Sequence, residues 1–484
     1  MQVPFFGELR AARAPFLSGP RRYDRALPPP APPTLRRQLG LWAVSALVVG
    51  DMLGTGIFFT PGELASVAES PWQVYFFWGL CGVITLCGAL TLAELTTLLP
   101  RAGASYHIIR EGFGPFWAFL KIWVEMWVSG PGSVAGVAIV LGEFAAHLPA
   151  APARVSATTW GVAAIVAFTL VNLCGVRWGG RTQVLLTAVK IAGLLALVLG
   201  SLLLAPPGAA TAAGDAARAQ GSSLLGFVRM VGLGVAVVLF TYDGWIDVSH
   251  VGGEVREPAK DLPMALGLGV GGLTLLYLVV NLAYLRVVPL DAMRAAPTTV
   301  ATTVARAAFG ARGGQTLDAL IVVSIVGALG GLVMTLPRLY YAAAEEYRAQ
   351  TARHPLGHFF RALAWVPERS AVPAGSVLFT AALSVSALCF FGTFRRIVTY
   401  FVVPVHVVNI LMVASVFRLR RRLGGVPGAY LTPGYPLVPA VYILVLALLL
   451  ASAIVYNPLD TVIGMAMTAT GVPLYLWIRA RGRA

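Results

Sequence analysis

Apolar runs long enough to cross a bilayer recur along the whole of this 484-residue chain. A helix needs about 20 apolar residues to span the hydrocarbon core. Twelve such stretches are centred near residues 50, 85, 130, 166, 192, 236, 275, 328, 381, 407, 445 and 467. Every backbone N–H and C=O in lipid must be paired within the protein, which leaves a helical bundle as the solution for this pattern. Composition agrees: 57% of residues are apolar and 12% charged, against roughly half and about a quarter in soluble domains. The expected fold class is an all-α polytopic membrane protein with about 12 transmembrane helices.

The net charge of +15 would suit nucleic acid if it formed one patch, but it is distributed by topology. With the N-terminus inside, the segments expected in the cytoplasm carry 25 Lys/Arg and those outside carry eight. That is the positive-inside asymmetry. Four external arginines, Arg286, Arg294, Arg306 and Arg312, run against it without reversing it. Both termini are therefore expected in the cytoplasm, with membrane lipids rather than nucleic acid as neighbours, because a basic inner face suits anionic headgroups. Residues 1–38, with seven arginines and "PPPAPP", read as a disordered cytoplasmic tail and not a cleaved signal peptide. The low-complexity run 206–223 reads as an external linker, "TTVATTVARAAFG" (298–310) as a short external helix, and 338–372 as the longest cytoplasmic loop. Cys81, Cys87, Cys174 and Cys389 lie in or at the ends of apolar runs without metal-type spacing, so they read as buried small residues.

Two of the apolar runs are interrupted. "VVGDMLGTGIFFTPGE" (48–63) places Asp51 and Gly54-Thr55-Gly56 where hydrocarbon is expected, and "FTYDGWIDVSHVGGE" (240–254) repeats the lesion five helices later. Interrupted helices at matching positions mark an inverted repeat. Residues 39–205 then form the first five-helix repeat, 224–420 the second, and 421–484 two final helices with a short basic tail. Unwound backbone is tolerable only where it faces a cavity or other protein. The half-helix that starts after a break presents free N–H groups and about half a positive charge, which attracts an anion. The half-helix that ends before it presents carbonyls, which suit an ammonium or an alkali cation. An α-amino acid carries both charges.

The chain resembles the amino acid–polyamine–organocation superfamily of transporters, and most of all its L-type amino acid transporter branch. The resemblance rests on Gly50-Asp51-Met52-Leu53-Gly54-Thr55-Gly56-Ile57-Phe58 and on Phe240-Thr241-Tyr242-Asp243-Gly244-Trp245, followed by Glu254 and Glu257-Pro258-Ala259-Lys260-Asp261-Leu262-Pro263. It extends to "AELTTLLPRAGASY" (93–106), "FLKIWVEMWVSGPGS" (119–133), "LLTAVKI" (185–191) and "PRLYYA" (337–342), across about residues 40 to 480. It implies the LeuT-type five-plus-five fold with alternating access. Gly54, Thr55, Gly56 and Ile57 would hold a substrate carboxylate. Carbonyls of Met52 and of Phe240 to Asp243 would receive its ammonium, with Leu53 and Gly244 counted among the substrate-binding residues. Phe240 would gate the site and Ser133 would line the side-chain pocket. Lys190 matches a lysine that stands where sodium-coupled relatives bind the ion, so it implies a coupling or gating role without sodium. Asp51 departs from the pattern, where an uncharged residue is usual; it suits an amine substrate, a titrating role, or pairing with Lys190. The run Ala328-Leu329-Gly330-Gly331 lacks an asparagine that relatives carry there.

The expected function is secondary transport of amino acids, by exchange or proton coupling. The alternative is an amine or polyamine carrier that uses Asp51. A non-transporting nutrient receptor would need a signalling domain. An enzyme would need a nucleophile and base, a metal cluster or a phosphate loop, and none stands out, so no cofactor or metal is expected. Animal L-type relatives bond to an ancillary subunit through an external cysteine; "HLPAAPARVSATT" (147–159) has none, so no disulfide-linked partner is expected. The abundance of Arg, Ala and Gly with only three lysines fits a GC-rich bacterial gene and an inner membrane.

Overall fold

The interruption in the first apolar run is where the chain's geometry is set. In the computed structural model, α1 (Leu41–Met52) stops at Leu53, and α2 (Gly56–Val67) departs at 40°. The structure describes residues 37–54, 56–146, 155–206, 224–295, 300–351, 355–391, 394–423, 429–456 and 458–481. The expected tail before residue 37, most of the linker and Thr55 lie outside these. Among the described residues the regular structure is helical, apart from one parallel bridge between Leu39 and Val255.

The long α3 (Pro71–Leu98) leads to the amphipathic α4 (Ala104–Phe113). The third crossing is α5 (Pro115–Val124) and α6 (Gly130–Ala146), joined by a π-helical turn at Glu125–Ser129. α7 (Ala157–Leu173) and α8 (Val176–Leu203) follow. The second interrupted run is α9 (Leu224–Thr241), a turn, and a 3-10 segment Asp247–Glu254. Next come α10 (Pro258–Val287), the short α11 (Leu290–Ala295) and α12 (Val300–Phe309), and α13 (Ala311–Gln350). α14 (Pro355–Leu363), α15 (Ala374–Phe391), α16 (Phe394–Leu423), α17 (Leu437–Tyr456), α18 (Pro458–Ala469) and α19 (Gly471–Arg481) complete the bundle.

Eight helical segments among the described residues are long and apolar enough to cross a membrane, and the bent α1–α2 pair makes a ninth. The other three expected spans fall on the shorter apolar helices Ala157–Leu173, Met230–Leu239 and Ala374–Phe390. The short helix expected near 298–310 is α12. The expected loop 338–372 is corrected: α13 runs on to Gln350, because Leu339, Tyr340, Ala342, Ala343 and Ala344 are buried and extend its packed face. The cysteine expectation is corrected in part: Cys81 is buried, but Cys174 and Cys389 are exposed on the helical surface.

The two interrupted helices lean on one another. A Cβ at Gly56 would lie 2.5 Å from the Thr241 side chain, and one turn on the hydroxyls of Thr60 and Thr241 are 2.6 Å apart. Gly54, by contrast, has open space around it, so of these two glycines only Gly56 is demanded by packing. At the ends of these helices, Gln38 and Leu39 donate their N–H groups to the Glu254 carbonyl, and Arg256 N–H donates to Leu39. The Glu254 carboxylate is fully buried against Arg338 Nε at 2.7 Å, and Arg338 also donates to the Met334 carbonyl and to Asn172 Oδ1. This ties the 3-10 segment to α13 and α7.

Replacing Gly56 by Ala forces α2 and α9 apart. It is expected to destabilise the protein by about 1–3 kcal/mol, with partial recovery in the Gly56→Ala/Thr241→Ala double variant, read from thermal unfolding in detergent. Glu254→Gln leaves a buried guanidinium without its counter-ion and is expected to cost about 3–5 kcal/mol in the same measurement.

Candidate functional site

An α-helix that stops in mid-membrane leaves its last carbonyls without helical donors. Here side chains from three other helices supply them. Lys190 Nζ, on α8, donates to the carbonyls of Gly50 at 2.7 Å and Leu53 at 2.9 Å. The Tyr277 hydroxyl, on α10, donates to Met52 at 3.0 Å, and Gly54 N–H shares that oxygen. Ser324 Oγ, on α13, lies within hydrogen-bond distance of the carbonyls of Leu53 and Gly54, at 2.9 and 3.2 Å. The carbonyl of Met52, expected to face a substrate ammonium, is therefore occupied from within the protein. The Lys190 ammonium serves backbone oxygens rather than Asp51.

The second break crosses the first directly. Gly244 has φ +103°, a conformation open to glycine, and a Cβ there would lie 2.9 Å from the Asp51 carbonyl carbon. Among the described residues, no turn hydrogen bond closes on the carbonyls of Thr241 or Tyr242.

Between the breaks lies a cavity of about 190 Å³. Asp51, Met52, Gly54 and Gly56 form one wall, and Thr241, Asp243, Gly244 and Asp247 form another. The π-helical turn adds Glu125 and Ser129, with Gly132 and Ser133 just beyond it. Val137, Val140, Ile325, Leu332 and Leu336 make an apolar side, and Val405 and Asn409 come from α16. The start of α2 at Gly56 brings the positive end of that half-helix to the cavity wall.

Eight residues expected from the sequence thus converge on one cavity: Asp51, Met52, Gly54, Gly56, Ser133, Thr241, Asp243 and Gly244. The side chains of Leu53, Ile57 and Tyr242 are buried in the core that supports this wall. The Tyr242 hydroxyl donates to the Trp78 carbonyl at 3.0 Å, which turns it away from the cavity. Thr55 and the Phe240 side chain, with its expected gating role, lie outside the described residues.

Sequence reasoning passed over Ser129, Asn409 and most of the α13 wall, of which it had marked only the run Ala328-Leu329-Gly330-Gly331. Ile325, Leu332 and Leu336 look like any other apolar positions of a membrane helix, so nothing marked them. The π-helical turn has no sequence signature either. It is held by Tyr340, whose hydroxyl donates to the Glu125 carbonyl at 2.8 Å across Gly130, a position where a Cβ would strike that hydroxyl.

The site is acidic. Asp51, Glu125, Asp243 and Asp247 line it, whereas the ammonium groups nearby are Lys121 and Lys190. Glu125 is neutralised by an ion pair with Lys121 and accepts from Ser129 Oγ at 2.7 Å. His250 Nδ1 is 3.7 Å from Asp247, and its Nε2 meets Ser105 Oγ at 3.1 Å. Asp243 has the most open environment of the four. No group of three or more His, Cys, Asp and Glu with metal-site geometry occurs among the described residues.

Residues 39–478 match the family model described as amino acid permease. The chain is 27% identical to the serine/threonine exchanger SteT of Bacillus subtilis over 92% of its own length and 98% of that protein. It is 25% identical to the human cystine/glutamate transporter, covering 91% of this chain and 85% of that one. It is 27% identical to the human b(0,+)-type amino acid transporter 1, covering 72% and 69%. The broken helices, the cavity between them and this full-length similarity lead to one conclusion: the chain belongs to the amino acid permease family, close to the L-type branch of the amino acid–polyamine–organocation superfamily, whose members are multi-pass membrane transporters and not enzymes.

Proposed function

We propose that this protein is a secondary transporter that moves amino acids by alternating access, as an exchanger or a proton-coupled permease, without sodium. The observation that carries the reading is the crossing of two broken helices at one cavity. The α2 end offers positive charge for a carboxylate, and the α9 carbonyls together with Asp243 offer negative charge for an ammonium. The apolar wall of Val137, Val140, Ile325 and Leu332 suits an uncharged side chain of modest size. Twelve crossings, an inverted five-plus-five repeat, cytoplasmic termini and a bacterial inner membrane complete the reading. With Cys81 buried and no cysteine in the loop after α6, no disulfide-linked subunit is included.

Lys190 supports the reading without sodium. Its ammonium occupies the space among the carbonyls of Gly50 and Leu53, beside Ser324 Oγ, where an oxygen-lined cation site would otherwise form. A second reading, an amine or polyamine carrier, is supported by the surplus of carboxylates over ammonium groups around the cavity.

The first test is uptake of labelled amino acids into proteoliposomes, empty or preloaded with unlabelled amino acids. Uptake that needs the preload identifies an exchanger, and equal uptake into both identifies a permease. Replacing sodium with choline is expected to leave the rate within about 2-fold, since the fixed ammonium substitutes for the ion. Each charge-assisted bond from Lys190 is worth about 1.5–3 kcal/mol, so Lys190→Ala is expected to slow uptake by at least about 10-fold. Amine uptake that exceeds amino acid uptake, and is abolished in Asp243→Asn, would decide for the second reading.

A further inference from the structure

Asp51 is set apart from the other acids of the cavity by where its carboxyl group goes. Both oxygens are buried and, among the described residues, neither accepts a hydrogen bond. The group is turned against α13: a Cβ at Gly331 would fall inside the van der Waals radius of Asp51 Oδ1. One helical turn earlier, a Cβ at Gly327 would lie 2.7 Å from Lys190 Nζ. Residues four apart share a helix face. Two glycines on one face of α13 therefore receive two ionisable side chains from the first half of the chain, the carboxyl from α1 and the ammonium from α8.

The charged groups around Asp51 do not complete its hydrogen bonding. Lys190 on α8 serves Gly50 and Leu53, Asp247 of the 3-10 segment and Asp243 beside Gly244 carry the same sign as Asp51, and Glu125 across the cavity is held by Lys121. Tyr277 on α10 serves Met52, and the face of α13 beneath the carboxyl is glycine. An ionised carboxylate buried without donors is expensive, and the neutral acid is far less so. Transporters with repeats of this kind work by rocking one helical group against another. Separation of α1 from α13 would expose the carboxyl to water and remove that cost.

We propose that Asp51 is the proton-binding coupling residue of this transporter, protonated while its carboxyl is seated on Gly331 and ionised when α1 parts from α13. One proton binds to Asp51 Oδ in one half of the cycle and leaves to water in the other, with no other bond made or broken. This rests on the transport reading above and assigns Asp51 to coupling rather than to an amine substrate, since its oxygens face α13.

The test joins a spectroscopic and a transport measurement on the full-length protein. Infrared difference spectra between neutral and alkaline pH are expected to show the C=O stretch of a protonated carboxyl that Asp51→Asn removes. Gly331→Ala, which unseats the group while leaving it intact, is expected to shift its titration to lower pH. In proteoliposomes with an internal pH dye, the wild type is expected to move one proton per amino acid. Its rate is expected to vary at least about 10-fold across the titration, and the Asp51→Asn flux that remains is expected to carry no proton. Absence of the band from wild type overturns the proposal, as does a variant that keeps the proton stoichiometry or a wild type that moves amino acids without protons. A wild type that shows the band but moves no amino acid defeats the transport reading, and the coupling role with it. Should Asp51→Asn not fold, the wild-type band and its shift in Gly331→Ala decide the seated state, and the wild-type proton stoichiometry decides coupling.

Discussion

The structure depends on how the end of α1 is paid for in hydrogen bonds. A helix cut short in a membrane leaves carbonyls whose exposure to lipid would cost several kcal/mol each. Gly50, Met52, Leu53 and Gly54 all have partners, drawn from Lys190, Tyr277 and Ser324 on three different helices. The break is therefore stable without a ligand. Its support is divided between α8 from the first half of the chain and α10 and α13 from the second, so the opening between the half-helices is held from both sides. At the other end of the break the start of α2 meets the Thr241 side chain of α9, which packs on Gly56 and shares a hydroxyl contact with Thr60.

The four acids around the cavity have distinct physical situations despite their proximity. Glu125 has a counter-ion and a hydroxyl donor, Asp247 faces His250, Asp243 is open, and Asp51 is buried without a donor. A count of charges would treat them alike. What separates them is burial and hydrogen bonding, shaped by the glycines at 130, 244 and 331 that allow the surrounding backbones and side chains to approach.

Much of this architecture was legible in the chain because glycine and charge are rare, costly events inside an apolar run. Gly54-Thr55-Gly56 marked the first break, and Asp243 and Gly244 marked the second. The resemblance then pointed to Lys190 and Ser133. What stayed hidden has a common cause: it lies in the partner, not in the marked residue. Gly327 and Gly331 look like ordinary small residues of a membrane helix until Lys190 and Asp51 are seen against them. Met52 could not be known to be satisfied without Tyr277, 225 positions away. Arg338 counted as a loop cation, yet it is fully buried because Glu254, Asn172 and the Met334 carbonyl together provide for its guanidinium. The apolar runs marked the eight long spans and the bent α1–α2 pair, but α13 outran its expected end because its packed face continues through Leu339, Tyr340 and Ala342 to Ala344.

The bridge between Leu39 and Val255 has a mechanical meaning. It joins the residue two positions before α1 to the residue that closes the 3-10 segment, through three backbone hydrogen bonds that do not depend on side-chain identity short of proline. Gly244 and Gly56 already press the same two interrupted helices together farther along. The two interrupted helices are thus fastened at several heights, at the bridge beside their outer ends and at both glycines beside the breaks, so neither can be displaced along its length without disturbing the other.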